Sequence, residues 1–213
     1  MKTLYFECRM GAAGDMLTGA LIDMLPDGER VEAVSALNSL GIDGVKFAVE
    51  TAEKAGIHGT SVRVLIDGAE EADWMPAHVH HHHDHGHSHD ICHEGQEHHH
   101  HDHGHGHGVC HEGQEHHHCV HRGMSEIEAI LCGLSANENV KNDALAVYRL
   151  IAEAESKAHQ RPVSQVHFHE VGALDAIADI AAVCFLIDRM KPDEIVVSPV
   201  HVGSGVVRCA HGI

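Results

Sequence analysis

The sequence predicts a layered α/β fold into which a histidine-rich segment has been inserted, and three observations carry that prediction. Of the 213 residues 43% are hydrophobic, enough for a real core. Short β-like runs alternate with runs of helical period on both sides of the chain's middle. Between His78 and His121, a span of 44 residues, 21 are histidine and almost nothing can build a core. The predicted organisation is therefore an N-terminal α/β part over 1–75, a low-complexity linker over 76–122 that is disordered without metal, and the rest of the same domain over 123–213.

Residues 2–8 (KTLYFEC) read as a strand, the Gly/Ala-rich stretch Gly11 to Gly14 as a turn, and 16–25 as an apolar-periodic helix. A second helix is expected over 31–40, and β-like runs over 45–51 and 60–66 flank a turn at Gly56. Within the histidine segment, Cys92 to His100 (CHEGQEHHH) recurs as Cys110 to His118, an 18-residue period that suggests tandem duplication and is too short for a familiar solenoid. Helices follow over 124–134 and 139–159, the second with Ala144, Val147, Leu150, Ile151 and Ala154 at helical spacing. After a turn at Pro162, residues 163–168 lead into a helix over 171–190 that carries Leu174, Ile177, Ile180 and Cys184 on one face. A strand over 194–197 and the turn Gly203-Ser204-Gly205 complete the pattern.

Charge excludes several function classes. With 32 acidic and 14 basic residues the formal charge is -18 when histidine is neutral, which opposes nucleic-acid backbones and anionic lipid. Trp74, Tyr5 and Tyr148 are too few for a base-stacking platform. No stretch reaches the roughly 20 apolar residues of a membrane span, and the start MKTLYFECRM lacks a signal peptide's apolar run, so a cytoplasmic protein is expected. The seven cysteines are scattered without a CxxC pair, which predicts reduced thiols.

The site chemistry points to metal. Neutral imidazole is a borderline ligand that suits nickel, zinc, copper and cobalt. The linker runs His80-His81-His82, His98-His99-His100 and His116-His117-His118 are accessory ligand candidates, as a store or as participants in chemistry. A disordered array has no fixed geometry, so it would favour copper, and selection of the metal must come from elsewhere. A sharper cluster is His167-Phe168-His169-Glu170, followed by Asp175 and Asp179. If residues 167–170 are extended, the two histidines share a side, while Asp175 and Asp179 lie one helical turn apart. Two imidazoles and two carboxylates could then converge on an open divalent site; the plainer alternative makes Glu170 and Asp175 a helix N-terminal charge pattern. The turns Gly11-Ala12-Ala13-Gly14-Asp15 and Gly203-Ser204-Gly205 could receive an anion on backbone N–H groups, or Asp15 could simply cap a helix. His201 and His211 flank the second turn. No nucleophile elbow, HExxH or paired CxxC is present.

MGAAGDMLTGALIDML, the His-rich insertion, HFHEVGALDAIADI and SPVHVGSGVVRCAHG together resemble the nickel insertion protein of the nickel-pincer nucleotide cofactor pathway, the LarC family. The resemblance implies a CTP-dependent cyclometallation that places nickel in pyridinium-3,5-bisthiocarboxylic acid mononucleotide, with magnesium or manganese assisting the nucleotide. The finished cofactor would serve lactate racemase-type enzymes. It implies His167, His169, His201 and His211 as metal-handling groups, Asp15, Glu170 and Asp175 as catalytic, and Gly14, Gly203, Ser204 and Gly205 as cofactor-binding. The family continues past AHGI into a second domain to which CTP binding belongs, so a separately encoded C-terminal half is an expected partner, and self-association stays open. A non-catalytic metallochaperone or nickel store is the alternative, and a metal-dependent hydrolase a third.

Overall fold

The computed structural model describes residues 1–70, 122–168 and 170–206, without the side chain of Glu170. The described residues belong to one compact unit, Met1–Glu71 with Cys119–Ile213. The predicted linker up to residue 121, its duplicated units, Trp74, His169 and His211 lie outside the described residues. The fold is mixed α/β, as predicted.

Strand β1 (Thr3–Phe6) leads through the Gly11–Gly14 turn into helix α1 (Gly14–Asp23). Helix α2 (Asp27–Leu37) begins four residues before the expected position and stops three earlier. Pro26 sets the start, its carbonyl accepting from Glu29 and Arg30, and acidic Asp27 and Glu29 fill the first turn. Asn38 sets the end, because its side chain exchanges two hydrogen bonds with the backbone of Phe47 in the next strand.

That strand, β2 (Val45–Lys54), forms a hairpin with β3 (Ile57–Ile66), longer than the two β-like runs suggested. Ala55 and Gly56 both have positive φ at the tip, the conformation of a tight hairpin turn. Asp67 and Gly68 repeat it (φ 51° and 88°) and return the chain as β4 (Ala69–Glu70), a two-residue strand that the pattern reading omits although Asp-Gly is its standard mark.

The second segment opens with β5 (Arg122–Gly123) and α3 (Met124–Cys132), then α4 (Glu138–His159). Helix α4 buries Val140, Ala144, Leu145, Tyr148 and Ala152, and this corrects the expected face: Leu150 and Ala154 are exposed. Tyr148 moves the stripe, since its ring is fully buried edge-on against Phe168 and its hydroxyl donates to the carbonyl of Val171 at 2.9 Å. Strand β6 (His167–Phe168) pairs with β5. One 3₁₀ turn at Glu170–Gly172 intervenes before α5 (Leu174–Met190), so the chain is not extended through Glu170 and the helix starts three residues later than expected. Phe168 explains the turn, because its Cβ lies 2.8 Å from where a side chain on Gly172 would begin, leaving only glycine room to pass.

Helix α5 is the centre of the unit, touching α1, α2 and α4 and strands β2 and β3. Ile177, Ala178, Ala181, Ala182 and Leu186 are buried along it, the three alanines small enough to let the neighbours approach and the two larger chains filling the core. The last described strand is β7 (Glu194–Val197), parallel to β1 in the register Thr3 with Glu194 to Phe6 with Val197. Cys8, Cys132 and Cys184 are free thiols, and burial pushes Cys184 up to about 11. No described helix is long and apolar enough to cross a membrane.

Candidate functional site

The β1–β7 pair decides which distant loops meet. Its hydrogen bonding continues past both strands, the Ser198 amide donating to the Phe6 carbonyl at 2.9 Å and the His201 amide to the Cys8 carbonyl at 3.0 Å. The Ser198 hydroxyl in turn accepts the amide of Cys8 at 2.8 Å. The two glycine-rich turns, nearly two hundred residues apart in sequence, thereby lie side by side, with the carbonyl of His201 3.6 Å from a Cβ position on Gly11. Gly11, Gly203 and Gly205 all have positive φ, which accounts for glycine at each. Both loops leave the carboxyl ends of parallel strands, where α/β proteins place their sites.

Beneath the first turn sits Asp179 of α5. A Cβ on Gly14 would lie 2.5 Å from its Cγ and Oδ2, so Gly14 is what lets the start of α1 close on α5. The backbone N–H of Asp15 donates to the Asp179 carboxylate. Asp15 itself is exposed in the first turn of α1, and its Oδ1 accepts the amide of Met16 at 2.7 Å; the N-cap is Ala13, not Asp15. Two of the free donors at the α1 terminus are thus taken by protein carboxylates, which leaves this turn a poorer anion cradle than its sequence suggests.

Asp179 is the most perturbed acid of the site. Its Oδ1 is buried without a hydrogen-bond partner, and desolvation first, then the charges of Asp15 and Asp175, push the carboxyl up to about 7, against the lowering effect of the Asp15 amide. Asp175, one turn earlier and half-buried, accepts the amide of Ala176 at 2.6 Å. Burial and the charges of Asp175 and Asp179 raise the Tyr148 hydroxyl, while Arg122, which holds the Gly172 carbonyl at 2.8 Å, opposes them. Burial of a carboxylate by helix-to-helix approach leaves no mark in a one-dimensional pattern; the only sequence hint was its spacing from Asp175.

The expected residues are distributed unevenly. Gly14, Asp15, Asp175 and Asp179 come together, and His201, Gly203, Ser204 and Gly205 lie on the loop beside them. His167 is exposed on β6, and among the described residues no group of three or more His, Cys, Asp or Glu is placed to hold a metal ion. His169, His211 and the Glu170 side chain are outside that description.

A mixed α/β unit with a polar site past the ends of two parallel strands, an ionisable carboxyl poised near neutrality at its floor, is the class of protein the geometry defines. The family described as nickel insertion protein matches residues 4–213, and this chain belongs to it. It is similar to proteins named pyridinium-3,5-bisthiocarboxylic acid mononucleotide nickel insertion protein from Clostridium acetobutylicum (41% identity over 214 residues), Lactiplantibacillus plantarum (36% over 212) and Acetivibrio thermocellus (34% over 213). Each alignment covers 100% of this chain but only 47%, 43% and 42% of the relative. The chain therefore spans less than half the length of these relatives. No solved structure matches it significantly.

Proposed function

We propose that this chain is the metal-handling part of a cytoplasmic nickel insertase that converts pyridinium-3,5-bisthiocarboxylic acid mononucleotide to the nickel-pincer cofactor in a CTP-dependent cyclometallation. The observation that carries the reading is family membership over residues 4–213, supported by relatives whose names state nickel insertion into that nucleotide. On this reading residues 76–122 are an insertion in a single α/β domain formed by 1–75 and 123–213.

Nickel and the nucleotide are substrates. A bisthiocarboxylate is a soft ligand pair that suits nickel once delivered, and imidazoles are suited to deliver it. His167, His169, His201 and His211 are the proposed delivery groups, with the linker histidines as a reservoir. Forming a nickel–carbon bond on the pyridinium ring replaces a C–H bond, so one proton leaves per turnover. A carboxyl poised near 7 is matched to accepting it, which nominates Asp179 as the base, with Asp15, Glu170 and Asp175 around it and the Gly203–Ser204–Gly205 turn beside the nucleotide. The three aspartates are hard oxygen donors of the kind magnesium or manganese takes, and the resemblance to the family assigns CTP to the second half of the family chain.

A second reading, a non-catalytic nickel store or metallochaperone, is favoured by one observation, the 21 histidines between positions 78 and 121. The test is mass-spectrometric detection of nickel-loaded nucleotide after incubation of the chain with metal-free precursor, nickel, magnesium and CTP, with and without a separately supplied second half. Product only with the added half is the expected result. Product from the chain alone places the CTP chemistry within residues 1–213. No product in either mixture, with nickel bound, favours the store. In a linker-deleted background, replacing His167 and His169 together by alanine should abolish tight nickel binding, and unchanged binding overturns their assignment.

A further inference from the structure

Among the described residues the β1–β7 sheet has two strands and exposed apolar faces. A strand of a parallel sheet that reads as consecutive apolar residues is normally covered on both faces. β7 is such a strand by sequence, yet Ile195 is 47%, Val196 38% and Val197 53% exposed. Register shows that neither face is closed. Ile195 and Val197 stand beside Leu4 and Phe6, which belong to the core or pack on it, while Val196 stands beside Tyr5 on the opposite face, itself 55% exposed. The apolar surface runs on into Val200, Val202 and Val206, all more than half exposed. Among the described residues β7 pairs only with β1, and no described strand lies along its outer edge. An edge with apolar residues on both faces and no lysine, proline or bulge within Glu194–Val197 is a surface suited to a partner.

We propose that this face is the docking surface for the second half of the family chain, which lays a strand along the free edge of β7 and covers Tyr5 and Val196 on one side and Ile195 and Val197 on the other. The relatives identify the occupant. They are more than twice as long as this chain, which aligns with their N-terminal part. Their additional sequence therefore begins about sixteen residues after β7, a connection that can reach roughly 50 Å when extended and easily returns to the strand it leaves. The exposed valines 200, 202 and 206 lie on that connection. Docking there also sets the second half beside His201 and the Gly203–Gly205 turn. The placement rests on the reading that the nucleotide chemistry resides in that half, and it gives that reading a physical route, since the two sets of groups would face one another across the end of the sheet.

The test mixes this chain with the purified second half of the Clostridium acetobutylicum relative, without nickel, precursor or CTP, and reads binding by calorimetry and amide hydrogen exchange by mass spectrometry. Expected are a 1:1 complex and at least tenfold slower exchange across Thr3–Phe6 and Glu194–Val197. Val196→Lys and Tyr5→Lys, both on the outer face, should each weaken binding at least tenfold while leaving the melting temperature within a few degrees. Absence of a complex overturns the proposal, as does a complex that leaves exchange at these two strands unchanged. Dimers of the chain alone that Val196→Lys dissolves would assign the face to a second copy and likewise overturn it. Because no nickel chemistry is measured, these failures stay distinct from failure of the insertion assay.

Discussion

Asp179 carries its charge against opposition from its surroundings, and the consequence can be measured. A carboxyl raised from 3.8 to about 7 binds its proton in the folded state while the unfolded chain has already released it. Folding is therefore unhindered by this group below about pH 4, loses stability as the pH rises from there through 7, and is uniformly weaker above. Asp179→Asn removes that dependence. Between pH 5 and pH 8 the parent should lose on the order of 2 kcal/mol more than the variant in urea unfolding. Equal slopes in the two proteins would show that Asp179 is ionised throughout. Gly14 gives the complementary test of the same contact. Alanine is better than glycine in a helix by about 1 kcal/mol, but here its Cβ would meet Asp179, and overpacking of that kind costs roughly 1–3 kcal/mol. Gly14→Ala should therefore lower the urea midpoint, and a raised midpoint would mean that α1 and α5 stand further apart than described.

The helices are joined to their neighbours at their ends as well as through their faces. Asn137 caps α4 by accepting the amide of Val140 at 3.1 Å, and its amide nitrogen donates to Asp188 of α5 at 2.7 Å. Asn137→Ala removes both at once and should cost about 1–2 kcal/mol in thermal or urea unfolding, whereas Asn137→Asp should keep the cap and lose the tie because two carboxylates would then face each other. Such contacts mark where reading the sequence stops. The strand over 194–197 and the starts of α3 and α4 were legible to within a residue, because turn chemistry and period mark them locally. The 3₁₀ turn after Phe168 was not, because it arises from the meeting of Gly172 with a side chain and with Arg122, residues that no window around Glu170 contains together. The buried stripe of α4 was displaced for a related reason: Tyr148 reads as polar until its hydroxyl finds the Val171 carbonyl. Of the site, the identities of Gly14, Asp15, Asp175 and Asp179 were visible in the sequence; their convergence depends on α1 closing on α5 at Gly14, a contact between residues some 165 positions apart.

At the scale of the whole molecule, two systems with different proton dependence share one chain. Among the described residues the core draws its buried apolar side chains from positions 4–64 and 127–186, on either side of the histidine segment in sequence. That segment holds 21 of the 27 histidines, and an imidazole must be neutral to ligate nickel. With an ordinary value near 6.5, about nine-tenths of free imidazoles are neutral at pH 7.5 and about one-tenth at pH 5.5, and a site that draws on several of them responds more steeply still. Equilibrium dialysis should accordingly find several nickel equivalents per chain at pH 7.5 and less than a fifth of that number at pH 5.5. Deleting residues 78–121 should remove most of the pH 7.5 equivalents while leaving the thermal midpoint of metal-free protein within a few degrees of the parent. Nickel that survives the deletion and still falls away at pH 5.5 would belong to His167, His201 and the remaining folded-unit histidines, and would move the reservoir from the tract to the site. A midpoint lowered by more than about 10 °C would instead show that the segment supports the core.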